Sequence, residues 1–236
     1  MIPRTLALSS ALALLVSCDP AEEPLAAPPR VQRVAAVVTG PDRAAQKKIV
    51  AFGDSLTAGY GIGLDEAYPA VLQRLLDAEG YPYEVVNAGV SGDTSAGGVR
   101  RLDWVLDGRD VEILILALGA NDGLRGLPPS EMKKNLAEII EHAKSRGVRV
   151  LLAGFEAPPG ARDVYIQDFV AVFPELASEH EIALMPSLLH DIAGVARLNQ
   201  EDGKHPNVEG ARVLAESIFR SLKPLLPMAG AAESAQ

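Results

Sequence analysis

The chain is poor in several residue types, and each shortage narrows the reading. It has one cysteine in 236 residues, and Cys18 alone cannot close an intramolecular disulfide. Basic residues are outnumbered, 22 Lys and Arg against 31 Asp and Glu, for a formal charge of −9. Nothing in such a chain would neutralise phosphates, which argues against a nucleic-acid partner. The four histidines show no metal-ligand spacing, so no metal is expected. Aromatic residues make up only 5%. The apolar stretch from Leu6 to Val16 falls short of the roughly 20 residues that span a bilayer.

What is present describes a globular protein. Apolar content is 48% and charged content 22%, and the length suits one domain with chain to spare at the ends. The N-terminus "MIPRTLALSSALALLVSC" has a basic residue, Arg4, followed by an apolar core of signal-peptide length. Its end, Leu15-Val16-Ser17-Cys18, resembles the bacterial lipobox, which would make Cys18 a lipidation site and mature N-terminus; the alternative is an ordinary export signal. Residues 19–46 are dominated by Pro and Ala without an apolar period and read as a disordered tether, reaching about 30 Å if coil-like. The expected organisation is a signal peptide over 1–18, this tether, a folded domain over 47–226 and a flexible tail over 227–236. The expected location is the cell envelope, lipid-anchored and facing the periplasm, or else soluble and exported.

From Lys47 onward, short apolar runs alternate with helical periods. Strands are predicted over 48–52, 83–89, 111–119, 148–155 and 182–188. Helices are predicted over 68–80, 95–108, 129–147, 162–180 and 207–226. Strands that read as continuous apolar runs, each followed by a helix, belong to a parallel sheet covered on both faces. The expected fold is α/β, a three-layer α/β/α sandwich on a five-stranded parallel sheet of flavodoxin-like type. Trp104, spaced helically with Val99, Leu102 and Leu106, is expected in the core.

In such sheets function gathers beyond the carboxyl ends of the strands. Four polar segments fall there: "GDSLTAGYG" (53–61), "NAGVSGDTSAGG" (87–98), "GANDGLRG" (119–126) and "DGKHPN" (202–207). Acyl transfer needs a nucleophile, a base in reach, a group that fixes the base, and donors for the oxyanion. Ser55 is the candidate nucleophile, His205 the base, and Asp202 its partner within one turn. The backbone N–H groups of Ser55 and Gly92 and the side-chain amide of Asn121 are candidate oxyanion donors. Thr57 stands where the Gly-x-Ser-x-Gly elbow requires glycine. His142 reads as solvated beside Glu138 and Glu141, His180 as lying at a helix C-terminus, and His190-Asp191 as a turn.

These four segments resemble the four blocks of the SGNH (GDSL-type) hydrolases, over about Lys48 to Leu226. The third segment and "FEAPPGARDVY" (155–165) look like the bacterial branch of acyl-CoA thioesterases, lysophospholipases and arylesterases. The resemblance implies Ser55, Asp202 and His205 as catalytic residues and Ser55, Gly92 and Asn121 as the oxyanion hole. It implies hydrolysis of aryl esters, acyl-CoA thioesters or lysophospholipids without a cofactor, by a chain expected to be monomeric. Two alternatives stand beside it: a carbohydrate O-deacetylase, and a silent lipid- or glycan-binding module on the same fold.

Overall fold

The computed structural model describes residues 46–107, 110–156, 160 and 162–227. The expected export signal with Cys18, the expected tether before Gln46 and the chain from residue 228 lie outside the described residues.

The five apolar runs form β1 (Lys47–Gly53), β2 (Tyr83–Gly89), β3 (Val111–Ala117), β4 (Arg149–Ala153) and β5 (Ala183–Met185). They pair in parallel in the order β2-β1-β3-β4-β5. The two central strands explain the uninterrupted apolar sequence. Ile49 to Phe52 of β1 and Ile113 to Leu116 of β3 have no exposed surface, so each residue is covered whichever face it points to. Each large aliphatic buried this way contributes on the order of 1.5–3 kcal/mol.

Seven α-helices accompany the strands among the described residues: α1 (Ser55–Ala58), α2 (Tyr68–Ala78), α3 (Ser95–Leu106), α4 (Ala120–Leu124), α5 (Pro129–Ser145), α6 (Asp163–Glu179) and α7 (Val208–Leu222). α2 packs on α7, while α3, α5 and α6 pack in succession. Right-handed crossovers put these two groups on opposite faces of the sheet. Local chemistry sets the ends. Thr94 and Asn207 cap α3 and α7 by accepting from Gly97 and Gly210, and Gly80 and Gly147 follow α2 and α5 with φ of 76° and 74°, a conformation glycine takes without strain.

Three expectations need correction or refinement. Trp104 is not in the core but 52% exposed. The buried stripe of α3 runs through Gly98, Leu102, Val105 and Leu106, and at 100° per residue Trp104 falls on the opposite side. β5 stops at Met185 because Pro186 has no N–H to offer the ladder. Beyond it the chain stays beside the end of β4, Leu188 donating its N–H to the Gly154 carbonyl at 2.8 Å. His142 is not simply solvated: its side chain is half-buried, with Nε2 3.0 Å from an Asp103 carboxylate oxygen.

The strand order opens a crevice at the carboxyl edge of the sheet. From β1 the chain moves outward to β2, then returns across β1 to β3, so the loops leaving β1 and β3 diverge on either side of it. This switch point is where parallel α/β sheets bind ligands.

Candidate active site

At the end of β1 the backbone must turn sharply into α1, and close packing allows this only without a side chain at position 53. A Cβ on Gly53 would lie 2.1 Å from the Thr57 hydroxyl and 2.8 Å from the Ala117 carbonyl. Asp54 then caps α1, its Oδ1 accepting from the Leu56 N–H at 3.0 Å. Ser55 is the first residue of that helix. β2 closes in behind: a Cβ on Gly89 would sit 2.2 Å from the Ala58 nitrogen. The nucleophile candidate therefore rides on a turn wedged among three strand ends.

Ser55 Oγ lies 2.9 Å from His205 Nε2, and His205 Nδ1 lies 2.5 Å from Asp202 Oδ2. The carboxylate has no proton to give, so Nδ1 donates to it. Nε2 is then the acceptor for the serine O–H. The other Asp202 oxygen accepts the backbone N–H groups of Lys204 and His205 at 2.9 and 3.0 Å. These three bonds, that from the His205 ring foremost, hold the Asp202 carboxyl well below the usual carboxylate range. Asp202 is exposed, 40% of its side chain facing solvent. The bonds, not burial, stabilise its charge.

The oxyanion candidates come from two other loops. Asn121 lies on α4 directly after β3, and its Nδ2 donates to Asp54 Oδ2 at 3.0 Å, leaving its second amide hydrogen for another acceptor. Gly92 follows β2 with φ of 79°, and its carbonyl accepts from the Arg125 guanidinium at 2.6 Å. These loops are bolted together. The buried carboxylate of Asp122 accepts from both the backbone N–H and the hydroxyl of Ser95, at 2.8 and 2.6 Å. Asn135 donates to the same hydroxyl at 3.0 Å.

Two groups that sequence reasoning did not select also organise the site. Asp54 is 1% exposed, and burial pushes its carboxyl up to about 6. The bonds from Leu56 and Asn121 and the proximity of His205 pull the other way without cancelling that effect. Arg101 reaches across from α3 beneath the loops. It donates to Asp93 at 2.7 Å, to the Ala88 carbonyl at 2.7 Å and to the Gly53 carbonyl at 2.9 Å. Its guanidinium lies 4.0 Å from the centre of the Phe52 ring. One cation thus ties the ends of β1 and β2 to the Gly92 loop. The acid-rich turns "GDS" and "GDTS" carry a signal for Asp54 and Asp93, but Arg101 reads only as one charge on a helix.

Of the other histidines, His180 follows the last turn of α6. His190 lies in a turn whose neighbour Asp191 is engaged by Ser217 and Arg220. Ser55, Asp202 and His205 converge. Asn121 joins them through Asp54, and Gly92 is fastened to the Asn121 helix through Arg125. Cys18 lies outside the described residues.

Comparison with known proteins points the same way. Residues 51–213 match the GDSL-like lipase/acylhydrolase family. Esterase TesA of Pseudomonas aeruginosa is 39% identical over 191 residues, covering 81% of this chain and 95% of that protein. The arylesterase of Vibrio mimicus is 34% identical, covering 75% and 89%, and thioesterase 1/protease 1/lysophospholipase L1 of Escherichia coli K12 is 33% identical, covering 78% and 86%. A crystal structure of TesA superposes with a TM-score of 0.73 at 39% identity, covering 76% of this chain and all of the other. With the family pattern spanning most of the chain and relatives of this identity aligned over three quarters of it, the protein belongs to the GDSL-like lipase/acylhydrolase family.

Proposed function

We propose that the protein is a serine esterase that hydrolyses carboxylic esters or thioesters through an acyl-enzyme. The observation that carries this reading is the continuous Ser55–His205–Asp202 relay, with contacts of 2.9 and 2.5 Å. Ser55 Oγ attacks the substrate carbonyl carbon as His205 Nε2 takes its proton, and Asp202 stabilises the imidazolium. The Ser55 and Gly92 N–H groups and the Asn121 amide receive the negative charge on the carbonyl oxygen. Collapse expels the alcohol or thiol, which takes the proton from Nε2. Water then attacks the Ser55 acyl ester with the same base, and release of the acid restores the serine.

Aryl esters, acyl-CoA and lysophospholipids are the substrate classes, supported by the names of the relatives. A panel of p-nitrophenyl esters of graded chain length, with acyl-CoA, lysophospholipid and an acetylated carbohydrate alongside, ranks them. A fluorophosphonate should label Ser55 in the wild type, and Ser55→Ala should lose both labelling and activity. Label on another serine, or full activity in that variant, rejects the mechanism.

The enzyme works at a membrane surface as a monomer, held by lipid on Cys18. Support for the anchor comes from Leu15-Val16-Ser17-Cys18 followed by a Pro- and Ala-rich stretch. Cys18→Ala should shift the protein from the membrane fraction to the soluble one. An unmodified Cys18 with cleavage elsewhere rejects the anchor.

A further inference from the structure

Ser55 and His205 are 150 residues apart and both stand near loops, so something must fix the distance between them. We infer that Gln200 is a positioning residue for the base: its side-chain amide ties the loop carrying Asp202 and His205 to the loop that follows Ser55. The inference rests on the serine-hydrolase mechanism proposed for this site.

Gln200 Nε2 donates to the Tyr60 carbonyl at 2.7 Å and to the Pro206 carbonyl at 3.0 Å. Its backbone N–H donates to the His205 carbonyl at 2.8 Å, and its own carbonyl accepts from Gly203 at 2.9 Å. One half-buried residue therefore holds the base's loop at both ends and grips the nucleophile's loop as well. The grip falls on Tyr60, whose ring lies against the His205 imidazole, centroids 4.7 Å apart and planes tilted by 40°. Tyr60 itself is 55% exposed.

The opposing loop is shaped to admit the amide. Gly61 has φ of 79°, and a Cβ there would lie 2.2 Å from Gln200 Oε1. A side chain at position 61 would thus expel Gln200 from its seat. Without the tie, the Asp202–His205 pair would stay intact on its own loop, because its three bonds are local, while the approach of Nε2 to Ser55 would loosen. A misplacement of about 1 Å between reacting groups can lower a rate about a hundredfold.

The test uses the whole protein, a p-nitrophenyl ester and a fluorophosphonate. The labelling endpoint counts folded sites, and the labelling rate reads activation of Ser55. Gln200→Ala should lower both kcat per labelled site and the labelling rate by about 10- to 100-fold, with KM within about twofold. Gln200→Glu keeps the volume but has no N–H to give, and should fall as far. It also serves if the alanine variant does not fold. Gly61→Ala should slow the enzyme at least as much, since it displaces Gln200 and also forces alanine into a left-handed φ. A lower endpoint with normal kcat per site would make Gln200 merely structural. That result, or a change in KM alone, would overturn the inference. Ser55→Ala in the same assay separates the two claims, because its retained activity would instead reject the serine mechanism.

Discussion

Two of the site's aspartates, Asp202 and Asp54, share one chemistry and differ in their surroundings. Asp202, on the loop before α7, is exposed and accepts three hydrogen bonds, which hold its carboxyl below the usual range. Asp54, at the end of β1, accepts bonds from Leu56 and Asn121 yet is 1% exposed, and burial lifts it to about 6. Hydrogen bonds to the charged form prevail where water still reaches the group. Desolvation prevails where it does not. The consequence is a division of labour. Asp202 keeps its charge at working pH and acts on the His205 ring, whereas Asp54 holds Asn121 and the first turn of α1 in place.

The sharpest way to break this comparison is to remove the charge of Asp202. Asp202→Asn should lower kcat by about 10⁴, because the amide no longer enforces the tautomer that leaves Nε2 free to accept. Near-normal turnover would show that His205 is oriented by the rest of its loop. Next in size is Asn121→Ala, which removes the partner of Asp54. It should lower kcat by about 10²–10³, the cost of one oxyanion donor, with little effect on KM. If KM rises instead, Asn121 binds substrate in the ground state.

Stability against pH sharpens the contrast, because the two acids act with opposite sign. A carboxyl raised from 3.8 to about 6 keeps its proton longer when folded than when unfolded. Asp54 therefore costs nothing below pH 3.8, and stability falls as pH rises from there to about 6. The full penalty above that is about 3 kcal/mol. Urea unfolding of Asp54→Asn at pH 4 and pH 7 should show a smaller loss of stability over that interval than the wild type. Parallel curves would mean Asp54 is solvated. Asp202 runs the other way. Its lowered carboxyl favours the folded state above about pH 3.8, and that gain is lost as pH falls. Because Asp202 is exposed, solvent screening makes this the smallest effect. Urea midpoints of Asp202→Asn should differ little from wild type at pH 7 and converge with them in acid, and a large difference at pH 7 would contradict the exposed setting.

Much of this architecture was legible from local pattern. β2 begins and ends at the expected residues, Tyr83 and Gly89, and α2 starts at Tyr68, since apolar runs and a proline in the first turn are signals within a few residues. Ser55, Asp202 and His205 stood out for the same reason, each being the polar member of a glycine-containing turn after or before a regular element. Trp104 misled because three apolar neighbours at helical spacing resemble a stripe even when one member points away. Arg101 and Gln200 carried no mark of their own. What makes them matter is three carbonyl and carboxylate acceptors in one case and a tyrosine carbonyl 140 residues away in the other.

By itself the sequence determined the alternation of strand and helix, the caps and turns, and the residue types available for acyl transfer, because propensity, periodicity and turn chemistry act over a few residues. Only the tertiary structure decided which acid is dry and which is wet, and that Gln200 reaches Tyr60 as His205 reaches Ser55. Burial and contact depend on segments far apart in the chain closing on one another. The order β2-β1-β3 brings those loops to one crevice, and there the packing of neighbours, not the residue's own identity, sets what each side chain can do.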